Sequence, residues 1–262
     1  MSESDNRLSQ FAKYPSLKGR SVLITGGATG IGESLVTHFA QQGARVAFFD
    51  IQDEPAHRLV ESLADEGCSP PTYLHCDVTD LAALRSSVNQ ILAVHRGVDV
   101  LVNNAANDQR HTIEEVTPEF WDSSMALNLR PHFFLAQAVL PSMRAAGRGS
   151  IVNMSSICWL IPLAGLSLYS TAKAAIVGLT RALAQEVGPD NIRVNAVLPG
   201  TVATERQKRL WYTPEFLAEI FRDQALKRQI EPAEVARLVL FLAADDSSAI
   251  TNQSYIIDAG WV

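Results

Sequence analysis

Ser21-Val22-Leu23-Ile24-Thr25-Gly26-Gly27-Ala28-Thr29-Gly30-Ile31-Gly32 reads as a strand, a glycine turn and the start of a helix. The first five residues form a continuous, largely apolar run suited to a strand buried on both faces. Gly26, Gly30 and Gly32 let the backbone turn tightly, approach a pyrophosphate and pack the next helix onto the strand. That helix carries Ile31, Leu35 and Phe39 at i, i+4 and i+8 and ends before Gly43. Its N-terminus offers free N–H groups and the positive end of a dipole to phosphates. The spacing Gly-x-x-x-Gly-x-Gly differs from the usual Gly-x-Gly-x-x-Gly dinucleotide fingerprint, but it supplies the same physical parts.

The alternation of short apolar runs and amphipathic stretches continues through the chain, as in a parallel sheet with crossover helices. Further strands are expected at Arg45 to Asp50, Thr72 to Cys76, Val98 to Val102, Ser150 to Met154, Ile192 to Val197 and Tyr255 to Ile257. Helices are expected at Asp53 to Asp65, after Asp80 as N-cap, up to Gly147, around Tyr169, and from Glu231 to Ala244. The expected architecture is a single α/β domain over residues 17–262, following a polar tail at residues 1–16. Residues from about 200 to 230 are rich in charge and aromatics and lack a strand, which suggests a lid over a binding site.

Composition excludes several classes. Of 262 residues, 47 % are hydrophobic and 19 % charged, so the chain can bury a large core and is not disordered. The formal charge of −6 and the lack of any Lys/Arg run oppose a nucleic-acid partner. No apolar run reaches membrane-spanning length, and residues 1–14 contain no signal-peptide core. Cys68, Cys76 and Cys158 have neither disulfide-framework nor zinc spacing, and the six histidines form no metal motif. A protein of the reducing cytoplasm with no metal site is expected.

Asp50 ends the second strand, where an acid about 20 residues beyond the glycine turn would hold an adenosine ribose hydroxyl. A carboxylate there repels a 2′-phosphate, and neither Gly27-Ala28-Thr29 nor Ile51-Gln52 supplies a cation, so NAD is favoured over NADP. Asp77-Val78 and Asn103-Asn104 follow the next two strands, at the carboxyl edge where open α/β sheets bind ligands. Asp77 and Val78 suit an adenine ring; the asparagines could equally serve loop hydrogen bonding.

Tyr169 and Lys173 are four residues apart on an expected helix and share one face. An ammonium beside a phenol favours phenolate, and a phenolate near neutrality is a general base for an alcohol proton. Alone, the pair could equally be an exposed aromatic resting on a lysine stem.

Taken together, Thr25-Gly26-x-x-x-Gly30-Ile31-Gly32, Asp77-Val78, Asn103-Asn104-Ala105, Asn128, Ser156, Tyr169-x-x-x-Lys173 and Pro199-Gly200 resemble the short-chain dehydrogenase/reductase family, from about Leu17 to the C-terminus. The resemblance implies a Rossmann-like, doubly wound parallel sheet of about seven strands, usually assembled as a homotetramer. It implies a catalytic quartet of Asn128, Ser156, Tyr169 and Lys173; the family's serine stands thirteen residues before its tyrosine, which selects Ser156 over Ser155. Cofactor contacts are implied at Gly26, Thr29, Gly30, Ile31, Gly32, Asp50, Asp77, Val78, Asn104, Tyr169, Lys173, Pro199, Gly200, Val202 and Thr204. Ala106 stands where many members have glycine, and Trp159 where small residues are common.

Asn107-Asp108-x-Arg110-His111, Ser156-Ile157-x-Trp159, Arg206-Gln207 with Trp211-Tyr212-Thr213-Pro214-Glu215, and Asp258-Ala259-Gly260-Trp261 look like the bacterial aldose 1-dehydrogenases of the family. Polar side chains near an indole also suit a pyranose, with hydroxyls on its rim and C–H bonds on its faces. Asn107, Asp108, Arg110, Ser156, Trp159 and Trp211 are therefore the candidate sugar contacts, with Trp159 as platform and Trp211 alternatively lid packing. The expected reaction is NAD-dependent oxidation at C1 to the aldonolactone. In it Tyr169 is the base, Ser156 a hydrogen-bond donor to the reacting oxygen, and Lys173 the group that depresses the phenol. Asn128 would position a water beside Lys173. The rival readings are a carbonyl reductase of the same family, acting on a 3-oxoacyl thioester or steroid, and a cofactor-binding regulator without turnover.

Overall fold

A computed structural model describes residues 11–262. Its elements are β1 (Ser21–Thr25), α1 (Gly30–Gln41), β2 (Arg45–Asp50), α2 (Asp53–Asp65), β3 (Thr72–His75), α3 (Leu81–His95) and β4 (Val100–Asn103). They continue with α4 (Pro118–Asn128), α5 (Arg130–Ala146), β5 (Gly149–Met154), α6 (Ser167–Val187), β6 (Ile192–Pro199), α7 (Glu205–Trp211), α8 (Pro214–Asp223), α9 (Pro232–Ala243) and β7 (Ser254–Ile257).

The seven strands form one sheet in the order β3-β2-β1-β4-β5-β6-β7, every neighbouring pair parallel. The expected doubly wound, Rossmann-like sheet is therefore present. Strand order reverses between β1 and β4, and that switch point is where such sheets open a crevice for ligands. Each face has its own apolar core. Leu35, Phe39, Phe48, Val235 and Val239 pack on one side, with α1 and α9 over the sheet. Leu84, Val88, Leu135, Val139 and Leu183 pack on the other, bringing α3, α5 and α6 together. Strands buried on both faces explain why β1, β2 and β4 read as unbroken apolar runs rather than alternating ones.

Three boundaries differ from the sequence reading. The long helix expected up to Gly147 is two helices, broken at Leu129 with φ −131° and ψ −52°. Pro131 has no N–H for the Leu127 carbonyl, and its ring would collide with it in a continuous helix. The lid region carries α7 and α8, and Val202 also forms an isolated parallel bridge with Ile230. Finally, the tail expected over residues 1–16 is docked at its end. The Tyr14 N–H donates to Gln42 Oε1 at 2.8 Å, and Ser16 Oγ accepts from the Asp245 N–H at 3.1 Å. Residues 1–10 of that tail lie outside the described residues.

No helix among the described residues is long and apolar enough to cross a membrane, and the three cysteines are free. No cluster of three or more His, Cys, Asp or Glu side chains is placed to hold a metal among the described residues.

Candidate active site

The carboxyl ends of the central strands surround a cleft of about 1120 Å³. All of the cofactor candidates, from Gly26 to Thr204, line it.

The half under β1 and β2 is built from backbone. A Cβ at Gly32 would overlap the Gly26 carbonyl oxygen, so only glycine permits this approach of helix to turn. Gly26 has φ +65° and Gly30 φ +61°, left-handed conformations that open the turn. Thr29 precedes α1 without capping it by its side chain, so the first-turn N–H groups remain available to an anion. Asn104 braces the turn: its Nδ2 donates to the Thr25 and Gly26 carbonyls at 2.9 and 3.0 Å. That amide is committed to the loop, the alternative left open by the sequence. Asp50 is buried and accepts from the N–H groups of Ala28, Ile51 and Gln52 at 2.9, 2.8 and 3.0 Å. Two carboxylate oxygens offer about four acceptor sites, so one remains for a ribose hydroxyl. The cradle fits a dinucleotide.

The other half is built by β5 and α6. Ser156 caps a short helical turn, Ile157–Trp159, its Oγ accepting from the Cys158 N–H at 3.1 Å. That bond aims the hydroxyl beside Tyr169. Lys173 lies one turn further along α6, its Nζ 5.3 Å from the centroid of the Tyr169 ring. Lys173 is buried, and its Nζ donates to the Met154 carbonyl at 2.7 Å; Ser155 Oγ donates to the Lys173 carbonyl at 2.6 Å. Burial pushes the Lys173 ammonium down to about 8. Behind it, burial and the Lys173 charge hold His132 neutral, pushed down to about 3.

Tyr169 differs from the sequence expectation. Burial pushes its phenol up, and Cys158 and Asp108 add to the rise; Arg206 and the hydrogen bond with Ser156 oppose it. Desolvation outweighs the helical pairing, and the Lys173 ammonium donates to a carbonyl rather than to the phenol.

Asn128 is buried behind the cleft. Its Oδ1 accepts from the Asn107 N–H at 2.9 Å and its Nδ2 donates to the Asn107 carbonyl at 3.1 Å. The amide expected to position a water here splints the loop after β4.

Asn107, Asp108 and Arg110 line the cleft, and each is tied to the lid. Arg206 pairs with Asp108 and donates to Asn107 Oδ1, while the Arg110 guanidinium lies 4.2 Å over the Trp211 ring. Trp211 does not line the cleft itself; its place is lid packing. The helical turn after Ser156 leaves Trp159 36 % exposed, at the edge of the cleft and not among its lining residues. The apolar wall is made instead by Ile161, Leu163, Phe216 and Trp261. Trp261 belongs to the C-terminal Asp258-Ala259-Gly260-Trp261 run already singled out; Ile161 and Leu163 sit in a loop without periodicity to mark them. His111 anchors the start of α6, its Nε2 2.9 Å from Ser167 Oγ.

Comparison with known proteins supports the geometry. A family model described as enoyl-(acyl carrier protein) reductase matches residues 26–262. A D-xylose 1-dehydrogenase of Caulobacter vibrioides is 51 % identical over 250 residues, covering 95 % of this chain and 98 % of that protein. A probable galactose dehydrogenase of Rhizobium meliloti is 49 % identical over 249 residues, covering 95 % and 97 %. Among solved structures, a 3-oxoacyl-[acyl-carrier protein] reductase from Brucella melitensis with bound NAD superposes with a TM-score of 0.87 at 33 % identity, covering 100 % of this chain and 97 % of that one.

Proposed function

The chain belongs to the short-chain dehydrogenase/reductase family, and from that premise we propose that it oxidises an aldose pyranose at C1 to the aldonolactone, with NAD as acceptor. The carrying observation is the cleft itself: Ser156 and Tyr169 stand side by side, with Lys173 one turn away and Asn107, Asp108 and Arg110 on the same walls. A polar wall facing an apolar one suits a ring with hydroxyls on its rim and C–H bonds on its faces. Relatives named as sugar dehydrogenases at about half identity support the same substrate class.

The nicotinamide cofactor supplies the hydride acceptor when bound. Gly26, Gly30, Gly32 and the first turn of α1 would hold its pyrophosphate, and Asp50 its adenosine ribose. Asp50 favours NAD because its carboxylate would repel a 2′-phosphate. Tyr169 takes the proton of the anomeric hydroxyl, and Ser156 Oγ donates a hydrogen bond to the same oxygen as it becomes a carbonyl. Burial raises the phenol, so proton abstraction needs positive charge nearby. Lys173 supplies it from one turn along α6, and Asn128 keeps the Asn107 loop in register beside it.

Reduced-nicotinamide absorbance with NAD and a panel of aldose epimers tests the proposal. Turnover of a pentose or hexose is expected; turnover only of 3-oxoacyl thioesters with NADPH would replace it with the reductase reading. The free thiols support a cytoplasmic setting, and family resemblance supports a homotetramer, which light scattering would check.

A further inference from the structure

After β7 the chain ends in a hook. The Ile257 carbonyl accepts from the Gly200 N–H at 2.9 Å, so the hook starts beside the cleft that Gly200 lines. Asp258 is buried and closes it. One carboxylate oxygen accepts from the Gly260 N–H at 2.8 Å, the other from the Val262 N–H at 2.9 Å. Between those bonds Ala259 and Gly260 take left-handed φ of +60° and +77°. A left-handed alanine is disfavoured on its own, and the two charge-assisted bonds hold the backbone there. The Ala259 and Gly260 carbonyls accept from the Leu226 and Ala225 N–H groups, each at 2.9 Å. The hook is thereby pinned to the segment after α8.

The hook carries one side chain to the cleft. Of the four tryptophans in the chain, Trp261 is the one that lines it. Trp261 is half-buried and packs against Ile157, Ala196 and Leu198. Ile157 directly follows Ser156, so the indole belongs to the same wall as that hydroxyl. The other phenyl and phenol rings of the cleft are committed elsewhere. Phe49 is fully buried in the core, and Tyr169 is the base of the proposed reaction. Phe216 lies 6.0 Å from the Arg110 guanidinium and 6.0 Å from the Tyr212 ring.

The geometry points to Trp261 as the platform for the apolar face of the sugar, and to Asp258 as the positioning residue that fixes the indole. A pyranose presents C–H bonds on its faces, and an indole offers a broad flat surface with only two torsions to order. Asp258 acts through the backbone: its two bonds set where residue 261 leaves the hook. The inference rests on the aldose reading of the cleft and deepens it.

The test is steady-state kinetics with NAD and the aldose that the unaltered chain oxidises best, with thermal melting and NAD binding followed alongside. Trp261→Leu fills space without a flat face and should raise KM for the sugar about tenfold, with a smaller change in kcat. Trp261→Phe keeps a flat ring and should recover most of that loss. Asp258→Asn keeps one acceptor but turns an amide N–H toward a backbone N–H, so the hook opens and KM should rise likewise. Asp258→Asn combined with Trp261→Leu should be no worse than Trp261→Leu alone, because both act through one indole. NAD affinity should stay near that of the unaltered chain throughout. Should Asp258→Asn fail to fold, the Leu and Phe variants at 261 carry the comparison. An unchanged KM in Trp261→Leu, or equal KM in the Leu and Phe variants, overturns the platform. Additive losses in the double variant overturn the positioning role of Asp258. A chain that oxidises no aldose overturns the underlying reading and this inference with it. Oxidation of an aldose with no change in Trp261→Leu overturns the inference alone.

Discussion

Asn128 grips Asn107 at both ends of its backbone unit, accepting from its N–H at 2.9 Å and donating to its carbonyl at 3.1 Å. The grip is made from the C-terminal end of α4, whose last residue is Asn128, back to the loop after β4. Asn107 in turn holds Arg206 of the lid. A buried amide at a helix break thus sets the height of the loop on which the lid rests.

Asn128→Ala removes both bonds and leaves buried backbone groups unpaired, at about 1–3 kcal/mol for each unsatisfied group. Thermal melting should fall by several degrees, and KM for the sugar should rise more than kcat falls, since the loop and lid shift together. An unchanged melting temperature with a selective loss of kcat would point to a water-positioning role instead.

Tyr169→Phe deletes the proton acceptor while keeping the ring that packs in the cleft. Turnover should drop at least about 10²-fold. NAD affinity, read by ligand fluorescence, should change little. Near-normal turnover would sink the mechanism.

Burial pushes Lys173 down to about 8, below an unfolded lysine near 10.4. The unfolded chain therefore binds more protons between those values, and stability rises with pH across that window. Below about 8 the full cost of a buried ammonium is present. Lys173→Met, without NAD, should be stabilised most below that pH, by up to about 3 kcal/mol less the lost Met154 hydrogen bond. The gain should fade as pH approaches the unfolded value. Denaturant melts of both forms from pH 7 to 10 would show it, at about one-unit steps. A difference independent of pH would mean that Lys173 is not desolvated.

Asp50→Ala frees the N–H groups of Ile51 and Gln52 just after β2 and of Ala28 in the glycine turn, and removes the charge that repels a 2′-phosphate. The ratio of kcat/KM for NAD to that for NADP should fall at least about tenfold, equivalent to one lost charge-assisted contact. Stability should fall as well, because Ala28 N loses its partner inside the glycine turn. An unchanged cofactor ratio would remove Asp50 from the choice between the two dinucleotides.

Much of this protein is legible along the chain, wherever the controlling physics is local. The glycine spacing from Gly26 to Gly32 announces a close backbone approach, and strands buried on both faces announce themselves as apolar runs. Asp80 declares a helix start, and its Oδ1 accepts from the Ala82 and Ala83 N–H groups at 2.9 and 3.1 Å. Tyr169 and Lys173 declare a shared helical face by their spacing alone. Even the break at Leu129 has a local cause in Pro131, although the sequence reading ran the helix through it.

Tertiary structure decided what depends on distant partners and on burial. Asp108 and Arg206 are 98 residues apart, and no periodicity connects them. Asn104 could be a ligand residue or a loop hydrogen-bonder by sequence alone, and its brace on the glycine turn was invisible there because its acceptors, the Thr25 and Gly26 carbonyls, lie at the end of β1 and in the turn after it. Trp159 stands three residues after Ser156, yet the intervening helical turn leaves it at the edge of the cleft and not among its lining residues. Tyr169 is the clearest division. Helical spacing determined that Lys173 would be its neighbour, but the direction in which the phenol shifts depends on how much water the fold removes from it. Desolvation is a sum over every surrounding element, and no local stretch of chain encodes it.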